Sequence, residues 1–194
     1  MKLLVLALGN ALCQDDGVGP AALAMLLRDH RPGVDAMALD GGTLGLSLLP
    51  LLEQAEAALL IDAVDTGDPA GTVVRLVDQD VERAASLRLS VHQIGVSDLL
   101  EGARLQNRLP PKLILWGIAA GSTELGIGLT PAVAGSMQRL VGSVLREAAA
   151  LGCPFEPRPD NQRCAPDVLE RALLDSLGPM GLKEADDVHG LRLR

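Results

Sequence analysis

Aromatic side chains are almost missing from this chain. Trp116 and Phe155 are the only two in 194 residues, and there is no tyrosine. A core must therefore be built from Leu, Val, Ile and Ala. Stacking of bases on aromatic platforms, the usual way to hold single-stranded nucleic acid, is excluded. Positive charge is also short: the net charge is −8, which repels a phosphate backbone. Cysteine is scarce and odd in number, with Cys13, Cys153 and Cys164 forming no CxxC pair. A disulfide scaffold does not fit that pattern. No run approaches the ~18 apolar residues of a membrane span. The apolar stretch Leu3 to Leu8 is too short for a signal-peptide core and Leu12 is no small cleavage residue. It reads as a buried strand, and the cytoplasm is the expected compartment. Two phosphate-binding motifs are missing as well. Gly9, Gly17 and Gly19 do not form GxGxxG, and there is no P-loop.

What is present is apolar content of 48% in short runs that alternate with helical patterns, the mark of an α/β fold. Strands are predicted at Leu3 to Leu8, Val34 to Leu39, Ala57 to Ile61, Thr72 to Val77 and Lys112 to Ile118. The fourth follows the third too closely for a helical crossover, so it is expected to run antiparallel. Helices are predicted from about Gly17 to His30, around Leu44 to Leu52, near Gln79 to Ala84, and over Val96, Leu99, Leu100 and Ala103, whose spacing is helical. A last helix should open at Thr130-Pro131, with Thr as cap and Pro at the first position. Past Gly152 the prolines 154, 157 and 159 interrupt the pattern. Residues 1–152 are read as the domain and 153–194 as a tail with one short helix, Val168 to Leu177.

The chemistry-bearing residues cluster where strands hand over to loops: Asp15-Asp16, Asp40 and Asp62. Ligands in open α/β sheets bind at the carboxyl ends of strands where strand order reverses. If the first strand lies between the second and third, these loops meet there. Each acid has an ordinary reading too. Asp15 or Asp16 could cap the first helix; Asp40 and Asp62 could start turns. His30 suits a helix end and His189 lies in the tail. His92 precedes a helix, where the positive dipole end favours the neutral imidazole that a metal needs. Asp16, Asp62 and His92 would give two oxygens and a nitrogen with positions left open, as in a working metal site. Nickel, zinc and manganese all suit such a set. A Cys13–His92 nucleophile pair has only distant spacing to support it.

Five segments in order carry a resemblance. Gly9 to Gly19, Asp40-Gly41-Gly42-Thr43, Leu60-Ile61-Asp62-Ala63, Val91-His92-Gln93-Ile94-Gly95 and Gly128-Leu129-Thr130-Pro131 resemble the motifs of hydrogenase maturation endopeptidases, over roughly residues 1–158. The resemblance implies a three-layer α/β/α sandwich around a five-stranded, mostly parallel sheet with one antiparallel strand. It implies a peptidase that removes a C-terminal extension from the nickel-iron hydrogenase large-subunit precursor after nickel insertion. By the same resemblance Asp16, Asp62 and His92 are the metal ligands, and Asp40 is the acid with a role in cleavage. The first ligand is often Glu in the family; here it is the shorter Asp16. The nickel would come with the substrate, and zinc or cadmium could substitute. A monomer without nucleic-acid or membrane partners is expected. The alternatives are a non-catalytic nickel-sensing chaperone with the same ligands and a small-molecule hydrolase with a deep pocket.

Overall fold

The computed structural model describes residues 1–42, 44–86 and 95–159. Its centre is strand β1 (Leu3–Leu8), six residues without one exposed side chain. Such a continuous apolar run belongs in the interior of a parallel sheet covered on both faces. A 3-10 turn, Gln14–Gly17, leads into helix α1 (Val18–Asp29). Next come β2 (His30–Arg31), β3 (Ala36–Gly42), a second 3-10 turn at Gly45–Leu48, and α2 (Leu49–Leu52). The chain continues through β4 (Ala57–Val64), β5 (Val73–Val77), α3 (Gln79–Ser86), α4 (Gly95–Leu105) and β6 (Lys112–Ala119). It closes with α5 (Pro131–Ala134), α6 (Met137–Ala150) and β7 (Glu156–Pro157).

The main sheet has the order β3-β1-β4-β6-β5. The first four are parallel, and β5 runs antiparallel to β6 at the edge. The first strand does lie between its two successors, as the switch-point argument requires. Alternation along the strands sorts side chains onto two cores. Leu3, Val5, Leu59 and Ile61 pack with Ala22 and Leu26 of α1 and with Met137, Leu140 and Val144 of α6. Leu4, Leu6, Ala58 and Leu60 pack with Leu52 of α2, Val81 of α3, and Leu99 and Leu100 of α4. The result is the α/β/α sandwich with a mostly parallel five-stranded sheet. Among the described residues no helix is long and apolar enough to cross a membrane.

Three local expectations are corrected. Strand β4 does not stop at Ile61 but pairs with β6 as far as Val64↔Ala119, so Asp62 lies inside a strand rather than starting a turn. Strand β3 begins at Ala36 and takes in Asp40. The last helix is not continuous from Pro131: it breaks after Ala134 and restarts at Met137, and Thr130 forms no side-chain cap. The chain beyond 152 stays packed for several residues. Cys153 and Phe155 are buried, and β7 pairs antiparallel with β2. The Nε–H of Arg158 donates to the carbonyls of Leu27 and His30, both at 2.9 Å. The predicted tail helix, Val168 to Leu177, lies outside the described residues.

One polar cluster ties the antiparallel edge to the helical layer. Arg75 on β5 donates through Nε and Nη2 to both oxygens of Glu147 on α6, at 2.7 and 2.9 Å. The indole N–H of Trp116 on β6 donates to the same carboxylate at 3.1 Å. The Arg75 guanidinium, with help from the Trp116 N–H, holds the Glu147 carboxyl below the usual carboxylate range. A folded pKa below the unfolded one gives stability that is present above the unfolded value, about 4.3, and lost as pH falls through the folded value. Stability should therefore decline on acidification below that range. In Glu147→Gln the decline should be shallower, and stability near neutral pH should be lower by about 1.5–3 kcal/mol, the worth of a hydrogen bond to a charged group. Urea melts of both proteins across the acid range check this, and parallel pH curves would count against it.

Candidate active site

The loop that leaves β1 is built around backbone constraints. Gly9 has φ +135°, and a Cβ there would come within 2.1 Å of the Asp16 carbonyl oxygen. Only glycine lets the 3-10 turn fold back this closely over the end of β1. Gln14 opens the turn in the left-handed region at φ +46°, a conformation that costs a non-glycine residue on the order of 1–2 kcal/mol. Strain of this kind persists only where surroundings hold it. Here the Gln14 N–H donates to the Gly126 carbonyl at 2.8 Å, and the Gly126 N–H donates to the Leu12 carbonyl at 2.8 Å. The loop after β6 thus pairs with the loop after β1.

Asp16 ends up buried, with 3% of its surface exposed. Its Oδ2 accepts the Asn10 N–H at 3.1 Å, and its own N–H donates to the Cys13 carbonyl at 3.1 Å. The turn packs against β4. Three residues on, Gly19 touches the ends of two strands, since its absent Cβ would sit 2.0 Å from the Leu8 carbonyl oxygen and 2.8 Å from that of Ile61. The turn that carries Asp16 is thereby held at the carboxyl ends of β1 and β4.

Asp62 has no exposed surface at all. It sits in the middle of the sheet, level with Gly117 of β6, and its Oδ1 accepts the Ala63 N–H at 2.8 Å. By alternation it shares the face of Leu60 and Val64, the face covered by α2, α3 and α4. The segment that carries His92 leads into α4, on that same side, but His92 itself lies outside the described residues. Among the described residues no group of three metal-ligating side chains comes together.

Asp40 is exposed. It stands level with Ala7 of β1, and its Oδ1 accepts the Gly42 N–H at 2.8 Å. The register places it one strand away from β1 on the far side from β4, a lateral separation from β4 of ~10 Å for two strand spacings. The alternation of β3 gives it the Ala7 and Ile61 face, opposite to that of Asp62. The fold therefore buries Asp16, in a turn packed on β4, and Asp62, within β4 itself, and leaves Asp40 exposed on β3.

One residue of this region has a role that local reading does not give. Asp15 is completely buried and does not cap α1, which has no side-chain cap bond. Its Oδ1 accepts the Thr130 N–H at 2.6 Å, and its Oδ2 accepts the Gly121 N–H, the Ser122 N–H and the Thr130 hydroxyl at 2.8, 3.0 and 2.8 Å. The only sequence signal was a pair of adjacent acids, of which one is enough for any single task.

Buried carboxylates at the switch point of an open α/β sheet, one of them presented by a glycine-dependent loop, are the features of an enzyme rather than of a scaffold. Comparison with known proteins agrees. The sequence model of the family HycI, hydrogenase maturation protease, matches residues 23–147. The hydrogenase expression/formation protein HupD of Rhodobacter capsulatus is 38% identical over 78% of this chain and 73% of its own length. The hydrogenase 2 maturation protease of Escherichia coli is 32% identical over 81% of this chain and 97% of its own. The solved structure of the E. coli hydrogenase maturating endopeptidase HybD superimposes with a TM-score of 0.76 at 31% identity, covering 81% of this chain and 98% of that one. The chain belongs to the hydrogenase maturation protease family, and its class is that of an endopeptidase.

Proposed function

We propose that this endopeptidase removes a C-terminal extension from the precursor of a nickel-iron hydrogenase large subunit once nickel has been inserted. In this reading Asp16, Asp62 and His92 receive the nickel that the precursor carries, and Asp40 serves the cleavage itself. The observation that carries it is Asp62. A carboxylate without any exposed surface, placed among the apolar residues of a central strand, costs several kcal/mol of desolvation. Its cost is understandable if a cation is to be met there. Asp16 adds a second oxygen donor at the same strand ends. Two carboxylates and an imidazole suit nickel, and zinc or cadmium would be accepted by the same set.

A nickel ion beside the scissile bond would polarise its carbonyl or lower the pKa of a bound water. The chain's own groups supply the rest. The Asp16 and Asp62 carboxylates orient the precursor by its metal. Asp40 is exposed at the rim, its Oδ1 accepting the Gly42 N–H, and its carboxylate takes a proton of the attacking water.

The test is to incubate the protein with nickel-loaded and nickel-free precursor and to follow the mass of the large subunit. Loss of a C-terminal fragment from the loaded form only is the expected result. Equal processing of both forms would remove nickel from recognition. Binding of the loaded form without any mass loss would make the protein a chaperone.

A further inference from the structure

We propose that Asp15 is a positioning residue: it fixes the turn that presents Asp16 by clamping that turn to the loop of residues 121–130. The proposal rests on the reading of Asp16 as a working residue, but it makes separate predictions.

The clamp is complete in chemical terms. Four donors converge on one buried carboxylate, the three N–H groups of Gly121, Ser122 and Thr130 and the hydroxyl of Thr130. A carboxylate has about four lone-pair sites and no proton to offer; here Oδ2 takes three of the donors and Oδ1 the fourth, so both oxygens are committed to the loop of residues 121–130. Its partners are 106 to 115 residues away in sequence, so the bonds hold tertiary structure, not a local turn. The backbone repeats the link: the Asp15 N–H donates to the Ser122 carbonyl at 3.0 Å, next to the Gln14–Gly126 bond. A Cβ at Gly121 would stand 3.3 Å from both Asp15 Oδ2 and Thr130 Oγ1, so little space remains for adjustment there.

Asp16 hangs from this anchor. It is the next residue in the same 3-10 turn, the turn begins with a left-handed Gln14, and the carboxylate of Asp16 is steadied by the N–H of Asn10 on the other limb of the loop. Without the carboxylate clamp only the backbone bonds Gln14–Gly126 and Asp15–Ser122 remain to hold Gln14 in its costly conformation, and the position of Asp16 follows Gln14.

The discriminating substitution is Asp15→Asn. It has the same shape, but its NH2 must face either the Thr130 N–H or the Gly121 and Ser122 N–H groups, donor against donor. Native-state amide exchange is expected to rise at Asp16, Gly121, Ser122 and Thr130 while the amides of β1 and β4 keep their protection. Processing of loaded precursor should fall on the order of 10²-fold in kcat/KM, the effect of a misplaced working group. Thr130→Val, a milder change, should lose on the order of 10-fold, and Thr130→Ser, which keeps the hydroxyl, should restore nearly wild-type rates. All rates are taken far below the melting temperature. Unchanged exchange at Asp16 in Asp15→Asn, or equal rates for Thr130→Val and Thr130→Ser, would overturn the inference. Full processing by Asp16→Ala would instead overturn the reading of the site, and the exchange measurement would still judge the clamp by itself.

Discussion

Asp62→Asn is expected to abolish processing while the protein melts no lower than the wild type, and even somewhat higher. The two halves of that result have one cause. Asp62 lies wholly out of water between Leu60 and Val64, on a face otherwise covered by aliphatic side chains. Selection for stability would put another aliphatic residue there. The substitution keeps the side-chain shape and the oxygen that accepts the Ala63 N–H at 2.8 Å. It removes a negative charge whose desolvation costs several kcal/mol even with partners in place. Losing the charge therefore relieves the folded state, as substitutions at strained working sites commonly do. Losing it also removes one of the two carboxylates, Asp16 and Asp62, proposed to receive the nickel. If they meet a cation, the neutral amide forfeits most of that attraction in a poorly screened place. A drop in processing of about 10³-fold or more corresponds to about 4 kcal/mol, well within what one buried charge can supply. Asp62→Ala removes shape and charge together, and it should be equally inactive. Processing assays and thermal melts on the same preparations decide the matter. A variant that melts far lower and still processes precursor would show that Asp62 serves the fold and not the reaction.

The same residue marks where sequence reading succeeds and where it stops. The strands at Leu3–Leu8 and Lys112–Ala119 are legible because a buried parallel strand needs a nearly unbroken apolar run, and few other structures tolerate one. The antiparallel β5 is legible because the short connection through Gly67 and Gly71 leaves no room for a crossover helix. The true end of β4 is not legible. Asp has low strand propensity and favours turns, so the chain looks finished at Ile61, yet Ala63 and Val64 go on pairing with Ile118 and Ala119. A local rule broken in this way is more often found at a functional position than elsewhere. Thr130 misleads for a different reason. Thr followed by Pro is a good local cap, but the hydroxyl is claimed by Asp15, 115 residues away. A non-local partner leaves no trace in a window of ten residues. For the same reason the choice between Asp15 and Asp16 could not be made from sequence spacing. Both are acidic, both are buried, and only their partners differ. The pairing of β2 with β7 uses two residues on each side, too few for any periodicity to register.

Gly19→Ala should destabilise the protein severely, although Gly19 lies in a helix, where alanine is normally the better residue. Two effects compete. Replacing a helical Gly by Ala gains up to about 1 kcal/mol from backbone entropy, and less in the first turn, where Gly19 stands. Against this, the new Cβ would lie 2.0 Å from the Leu8 carbonyl oxygen, 2.6 Å from the Leu8 nitrogen and 2.8 Å from the Ile61 carbonyl oxygen. All three are main-chain atoms of the sheet, held in the ladder between β1 and its neighbours, and no rotamer change can move them. Helix α1 would have to lift from the sheet, opening the contacts of Val18, Ala21 and Ala22, each with at most 1% of its surface exposed. Overpacking of a tight core costs about 1–3 kcal/mol and sometimes more, and with backbone on both sides the upper part of that range applies. Against a total stability of about 5–15 kcal/mol, that loss outweighs the propensity gain several-fold. The lifted helix would also carry the Asp16 turn away from β4, so processing should fall further than the unfolded fraction explains. The chain contains its own control. Gly142, in the middle of α6, would place a Cβ in ordinary contact with only the end of the Arg146 side chain, at 3.4 Å. Gly142→Ala should therefore stabilise by about 0.5–1 kcal/mol and leave processing untouched. Denaturant melts of the two single variants measure opposite signs if the close approach governs Gly19. Stabilisation in both would mean that α1 does not press on the ends of β1 and β4.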